Sequence, residues 1–288
     1  VYGAVVVKAG AVDCPGTGIA HYFEHMMFKG TDRIGTTNWK EESLYLDSIS
    51  WQYDLLHATD NEEARAKIQK EINRLNIAAS KYAIPNEVDA ILSKLGGTGL
   101  NAGTSYDYTV YYNQFPSNQI ENWAKIQSDR FKNMVIRGFH TELETVYEEY
   151  NMYLNEDSEN AMMALDSVLF PHHPYGLQSV IGTSEHLKSP SITAIKKQKA
   201  TYYVPNNVAI CVAGDFDPDE FVAVIEKYFG DWEANPELPV RAIAEEAAIE
   251  EPVVKEVYGT ESDFVMIGWR FTGEKDLFKC EIGNIAGE

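Results

Sequence analysis

The strongest constraint on the fold is where the strand-forming residues fall. Val5-Val6-Val7 follow Tyr2-Gly3-Ala4 as a β-branched run, and Asp13-Cys14-Pro15-Gly16-Thr17-Gly18 supplies turn material behind it. The next strand pattern, over 100–115, alternates through Thr104, Tyr106, Tyr108 and Val110 and reads as a strand or hairpin. Between them, 39–95 carries only helical signals. Leu44, Ser48, Trp51 and Leu55 fall on one helical stripe, and Ile68, Ile72, Leu75, Ala79 and Tyr82 on a second. Asp60 with Glu63 makes a capping box before the second stripe, and Pro85 ends it. Two adjacent stripes predict an antiparallel helical hairpin, followed by a short third helix over 86–95.

Beyond the second strand region, helices are expected over 119–134, 142–154 and 162–170, and a buried strand over 207–213. Asp217-Pro218 opens a further helix, which Gly230 closes. The stretch 231–252, rich in Ala, Glu and Pro, reads as a linker, and 264–271 reads as a new strand. This predicts a domain over 1–235, a linker over 236–252 and the start of a second domain over 253–288. The chain begins without Met inside an apparent strand, so an upstream stretch is expected.

The sharpest chemical signal is His21-Tyr22-Phe23-Glu24-His25, set at a helix start behind the glycine-rich turn. Residues four apart on a helix lie one turn above each other, so His21 and His25 can hold one metal ion from the same face. Glu24 can then reach a water in an open metal position without being a ligand. With 7 His and 44 acidic residues, random placement would give this pattern at most about 0.03 times in such a chain. The competing reading is a helix whose histidines only hydrogen bond.

A catalytic zinc needs a third protein ligand. Glu142 and Glu149, seven apart on one predicted helix, return to nearly the same face, so one can bind metal while the other supports a ligand. On its own such an acidic run is a solvated face. His172-His173 are adjacent in a Pro-flanked loop and point apart, and His57, His140 and His186 lack partners at ligand spacing.

Charge excludes other functions. Twenty-four Lys and Arg against 44 Asp and Glu leave a net charge of −20, which phosphate backbones and anionic lipid would repel, so nucleic acid is not an expected partner. Cys14, Cys211 and Cys280 are too scattered for a disulfide framework. No apolar run approaches the roughly 20 residues that span a bilayer.

The block from Gly18 through His21, Glu24, His25 and Met26 to Thr31 resembles the pitrilysin family of zinc peptidases, which includes insulysin and the mitochondrial processing peptidase. Asn101-Ala102-Gly103-Thr104, the Glu142 to Met152 segment, His173-Pro174-Tyr175-Gly176 and Tyr203-Val204-Pro205-Asn206 resemble further family blocks in the same order. The resemblance implies an α+β fold, with helices packed on a mixed, mainly antiparallel sheet and the helical hairpin as an insertion. It implies Zn2+ held by His21, His25 and Glu149, Glu24 as general base and Glu142 as an auxiliary glutamate.

Asn101, Ala102, Gly103 and Thr104 match an edge strand to which an extended peptide is added, with Asn101 a candidate contact to the scissile region. Gly103 replaces an aromatic residue of several relatives, which leaves the adjacent pocket wider or filled from elsewhere. The implied activity is zinc-dependent endopeptidase cleavage of extended peptides or unfolded protein segments. The alternative is a peptide-binding half that needs a second homologous half or subunit, and no residue here matches the Arg and Tyr which that half contributes. The helical excursion fits a bacterial envelope or periplasmic enzyme, although an organellar or cytoplasmic one would look alike.

Overall fold

The computed structural model describes residues 1–188, 191–242 and 245–271. Its strands are β1 (Tyr2–Val7), β2 (Thr98–Thr104), β3 (Thr109–Gln114) and β4 (Val208–Ala213). Its helices are α1 (Ile19–Met26), α2 (Trp39–His57), α3 (Glu62–Ala79), α4 (Glu87–Lys94), α5 (Ile120–Asn133) and α6 (Phe139–Leu154), then α7 (Asp157–Leu169), α8 (Pro174–Leu177), α9 (Ser184–Lys188), α10 (Ile192–Tyr202) and α11 (Pro218–Phe229). Two compact units result, one of Val1–Tyr150 with Gln178–Ala242, the other of Asn151–Leu177 with Ile243–Glu288. The junction at Ala242 falls inside the expected linker, whereas the membership of Asn151–Leu177 in the second unit has no sequence signal.

In the first unit the four strands form one antiparallel sheet in the order β2-β3-β1-β4. The α+β architecture with a mainly antiparallel sheet is therefore as the sequence implies. β1 is central, which explains its continuous apolar run, with Val5 and Val7 fully buried. Gly3 is required there, because a Cβ would stand 2.7 Å from the rings of Phe115 and Trp123, stacked 5.0 Å apart over this position. Tyr111, Phe131, Phe23 and Tyr203 pack edge and face against each other below the sheet and join α1, α5 and α10 to it.

The inserted helices are present, and α2 packs on α3 through Ile49, Tyr53 and Leu56 against Ile68, Ile72 and Leu75. The expected stripe on α2 is the wrong face: Leu44 and Trp51 are each 63% exposed, while Glu42 and Ser50 are buried. Glu42 is buried because it pairs with Arg137, at 2.5 Å from Nε and 2.8 Å from Nη2, so a charge occupies the inward face. The α3 cap is Asn61, whose side chain accepts from the Ala64 amide, rather than Asp60.

In the second unit Asp157 accepts from the Thr260 and Glu261 amides, and Gly268 packs on Leu165 and Leu169. The strand expected at 264–271 does not form, since a strand needs a neighbour for its N–H and C=O groups and no described residue pairs with this segment. The rest of the expected second domain, including Cys280, lies outside the described residues. No described helix is long and apolar enough to cross a membrane.

Candidate metal centre

Gly18 sets the start of α1. Its φ of +65° suits glycine, and a Cβ there would lie 2.2 Å from the carbonyl oxygen of Ile181. From that start the helix buries Phe23 and Met26 completely and turns His21 and His25 to the other side, their rings 4.7 Å apart. α6, anchored by the fully buried Val146, brings Glu142 and Glu149 to the same place.

Among the described residues, His21, His25 and Glu149 form the one cluster suited to a metal, their ligand atoms all within 4.8 Å of one another. Glu149 Oε2 lies 3.7 Å from His21 Nε2 and 3.4 Å from His25 Nε2. Ligands about 2.0–2.2 Å from a tetrahedral zinc stand about 3.3–3.5 Å apart, so the spacing matches that ion. Glu149 Oε2 is also buried without a hydrogen-bond partner, and so is His21 Nδ1. A buried anionic oxygen facing two imidazoles across a gap too wide for a hydrogen bond fits a divalent cation between them.

The surrounding groups fix the ligands. His25 Nδ1 donates to Glu142 Oε1 at 2.9 Å, and Lys29 Nζ binds the other Glu142 oxygen. Burial opposes charge on His25, but the hydrogen bond to Glu142 and the negative charge of Glu149 outweigh it and raise its pKa to about 9. His21 goes the other way, lowered to about 4 by burial and by the neighbouring His25. Glu149 is held below the usual carboxylate range by His25 first and then His21, against its own burial. For Glu142 burial opposes ionisation, and the contacts from His25 and Lys29 prevail and lower its pKa.

Glu24 is buried beside this cluster, and burial raises its pKa while a 2.6 Å hydrogen bond from Thr104 Oγ1 to its Oε2 works against the rise. Thr104 sits at the end of β2, the outer strand of the sheet. Asn101 is exposed on that strand, with its Oδ1 accepting from the Ala102 amide. Ala102 is partly buried, and nothing lies within 4 Å of where a Cβ on Gly103 would stand.

The structure thus brings His21, Glu24, His25, Glu142, Glu149 and Thr104 into one site, and leaves Asn101 to Gly103 along the adjoining edge. Sequence reasoning missed Lys29, although its place four residues after His25 is a usable signal. It also gave no sign that Thr104, read as part of a peptide-binding strand, donates from its side chain to Glu24. Cys14 does not join the site: its thiol points to the Gly10 carbonyl, and burial raises its pKa to about 11.

The sequence matches two family models, "Insulinase (Peptidase family M16)" over residues 70–183 and "Peptidase M16 inactive domain" over 191–284. The first range contains Asn101, Glu142 and Glu149, and the His21–His25 motif precedes it. An uncharacterised zinc protease of Bacillus subtilis is 29% identical over 151 residues, 52% of this chain and 36% of that protein. A probable β subunit of the mitochondrial-processing peptidase of Schizosaccharomyces pombe is 30% identical over 149 residues, 49% of this chain and 31% of that protein.

The chain thus spans about a third of the length of these relatives. Among solved structures, a protease from Helicobacter pylori aligns with a TM-score of 0.64 at 21% identity, over 85% of this chain and 49% of that one. The first half of the periplasmic protease PqqL from Escherichia coli aligns at 0.63 and 19%, over 86% and 44%.

Proposed function

Because the chain belongs to the pitrilysin (M16) family of peptidases, we propose that it is the metal-bearing half of a zinc endopeptidase acting on extended peptides or unfolded segments. The observation that carries this reading is the convergence of His21 and His25 with Glu149, far apart in sequence, around a buried oxygen that lacks a partner. The relatives named as zinc proteases support zinc as the ion.

Bound zinc supplies Lewis acidity towards a peptide carbonyl and towards water. The protein's own residues do the rest. Glu142, pinned by Lys29, accepts the Nδ1 proton of His25 and fixes that ring with Nε2 towards Glu149. Thr104 occupies Oε2 of Glu24, leaving Oε1 to take a proton from the attacking water. As the water oxygen adds to the carbonyl carbon and the C–N bond breaks, Glu24 returns that proton to the leaving amine. Burial brings its pKa nearer to neutrality than an exposed glutamate, which suits both transfers.

The open edge of β2, with Asn101, Ala102 and Gly103, offers backbone groups to which an extended peptide can add as a further strand. A second reading, a peptide-binding half that turns over only with a homologous half, is favoured by one observation: the chain covers 49% of the aligned Helicobacter pylori protease. Cleavage of an unstructured peptide by zinc-loaded wild type and by Glu24→Gln separates these. Turnover by the wild type alone, lost in the variant with zinc retained, supports the enzyme. Peptide binding without turnover in both supports the half-site, and equal turnover in both overturns the role of Glu24.

A further inference from the structure

The α2–α3 hairpin and the body of the first unit line a partly open cavity of about 230 Å³ that the chemistry above does not use. The hairpin contributes Asp47, Ser50 and Asn76 to its lining, and the body contributes Phe23, Phe139, Lys196 and Lys199. Phe23 is two residues from His21 and from His25, about 200° around the helix from either. The cavity therefore meets the face of α1 opposite the metal ligands.

Its polar groups are mostly donors that lack an anion. Lys199 Nζ donates to the carbonyls of Lys132 at 3.1 Å and Met134 at 3.3 Å, which uses two of its three N–H groups. Among the described residues, Lys196 Nζ reaches only the Ser50 hydroxyl, at 3.2 Å. Neither ammonium forms an ion pair with a described carboxylate, and Asp32 acts on Lys199 only from beyond that range. Asn76 Nδ2 is buried without an acceptor. Asp47 is the one carboxylate on the lining, so the two lysines outweigh it by one charge. In a chain with a net charge of −20, two ammonium groups meeting at one cavity without a paired carboxylate run against the composition. A half-buried ammonium short of counter-charge favours an anion beside it.

We infer that this cavity binds a small apolar carboxylate, its head group on Lys196 and Lys199 and its tail against Phe23 and Phe139. The site does not depend on the peptidase reading, since it shares no side chain with the metal cluster. Isothermal titration of the 288-residue chain with octanoate, octan-1-ol and octylammonium tests it. Saturable binding of one octanoate per chain is expected, at least tenfold tighter than octan-1-ol, with no binding of octylammonium.

Lys196→Met, at an exposed position, should weaken octanoate at least tenfold, whereas Lys197→Met, off the lining, should not. Ser50→Leu, which fills the cavity from a helical position, should abolish binding while the chain stays folded. Absence of saturable octanoate binding, equal affinity for the alcohol, or a smaller loss in Lys196→Met would each overturn the inference.

Discussion

Replacing Glu42 by Ala tests how the α2–α3 hairpin is fastened to the rest of the first unit. Glu42 is fully buried and Arg137 is 5% exposed, and the pair is bidentate. The same guanidinium also donates to the carbonyls of Lys29, Thr31 and Ile34, the loop that follows α1. Removing the carboxylate leaves a buried cation with carbonyl partners only, and breaking one side of a buried pair costs about 3–5 kcal/mol.

With about 2–4 °C per kcal/mol for a domain of this size, the midpoint of thermal unfolding should fall by about 6–20 °C. Glu41→Ala, one residue away and exposed, should lose about 0.5 kcal/mol or less. Circular dichroism melts of both variants and of Glu42→Gln, which keeps the shape without the charge, would be compared. Glu42→Gln should fall between the wild type and Glu42→Ala. A Glu42→Ala midpoint within about 2 °C of Glu41→Ala would refute the claim that this pair anchors the hairpin.

Three further outcomes follow from the metal centre. Glu142→Ala removes the acceptor of His25 Nδ1 and should lower zinc affinity by about 10–100-fold, read by competition with a chelating dye. In the metal-free chain His25 titrates at about 9 and His21 at about 4, so near pH 7 only His25 must lose a proton to bind zinc. Zinc uptake at pH 7 should therefore release about one proton, and affinity should fall about tenfold per unit as pH drops below 9; a pH-independent affinity would contradict the assignment. Thr104→Val removes a hydrogen bond that lowers the Glu24 pKa, so the acidic limb of the pH–rate profile should move to higher pH.

The site was legible in the sequence where chemistry and periodicity coincide. The spacing of His21, Glu24 and His25 fixes one helix face, and Glu142 and Glu149 fix another, so only the fold was needed to bring them together. The strands were legible through their β-branched and aromatic runs, although Tyr106 and Tyr108 of the alternating stretch fall in the turn between β2 and β3. Long-range pairing was not. Nothing local to Glu42 announces Arg137, so the α2 stripe was assigned to Leu44 and Trp51, which face outward. α10 was missed because Lys196, Lys197 and Lys199 mask a narrow apolar seam of Ile192 and Ile195. Segment 264–271 has strand-forming residues but no strand to join among the described residues.

The most direct test of the metal centre is elemental analysis of the purified chain and of Glu149→Ala, both prepared without added zinc. About one zinc per chain in the wild type, lost in the variant, is the result expected for a site with two histidines and one glutamate as protein ligands. No zinc in the wild type, or the same zinc content in Glu149→Ala, would contradict it.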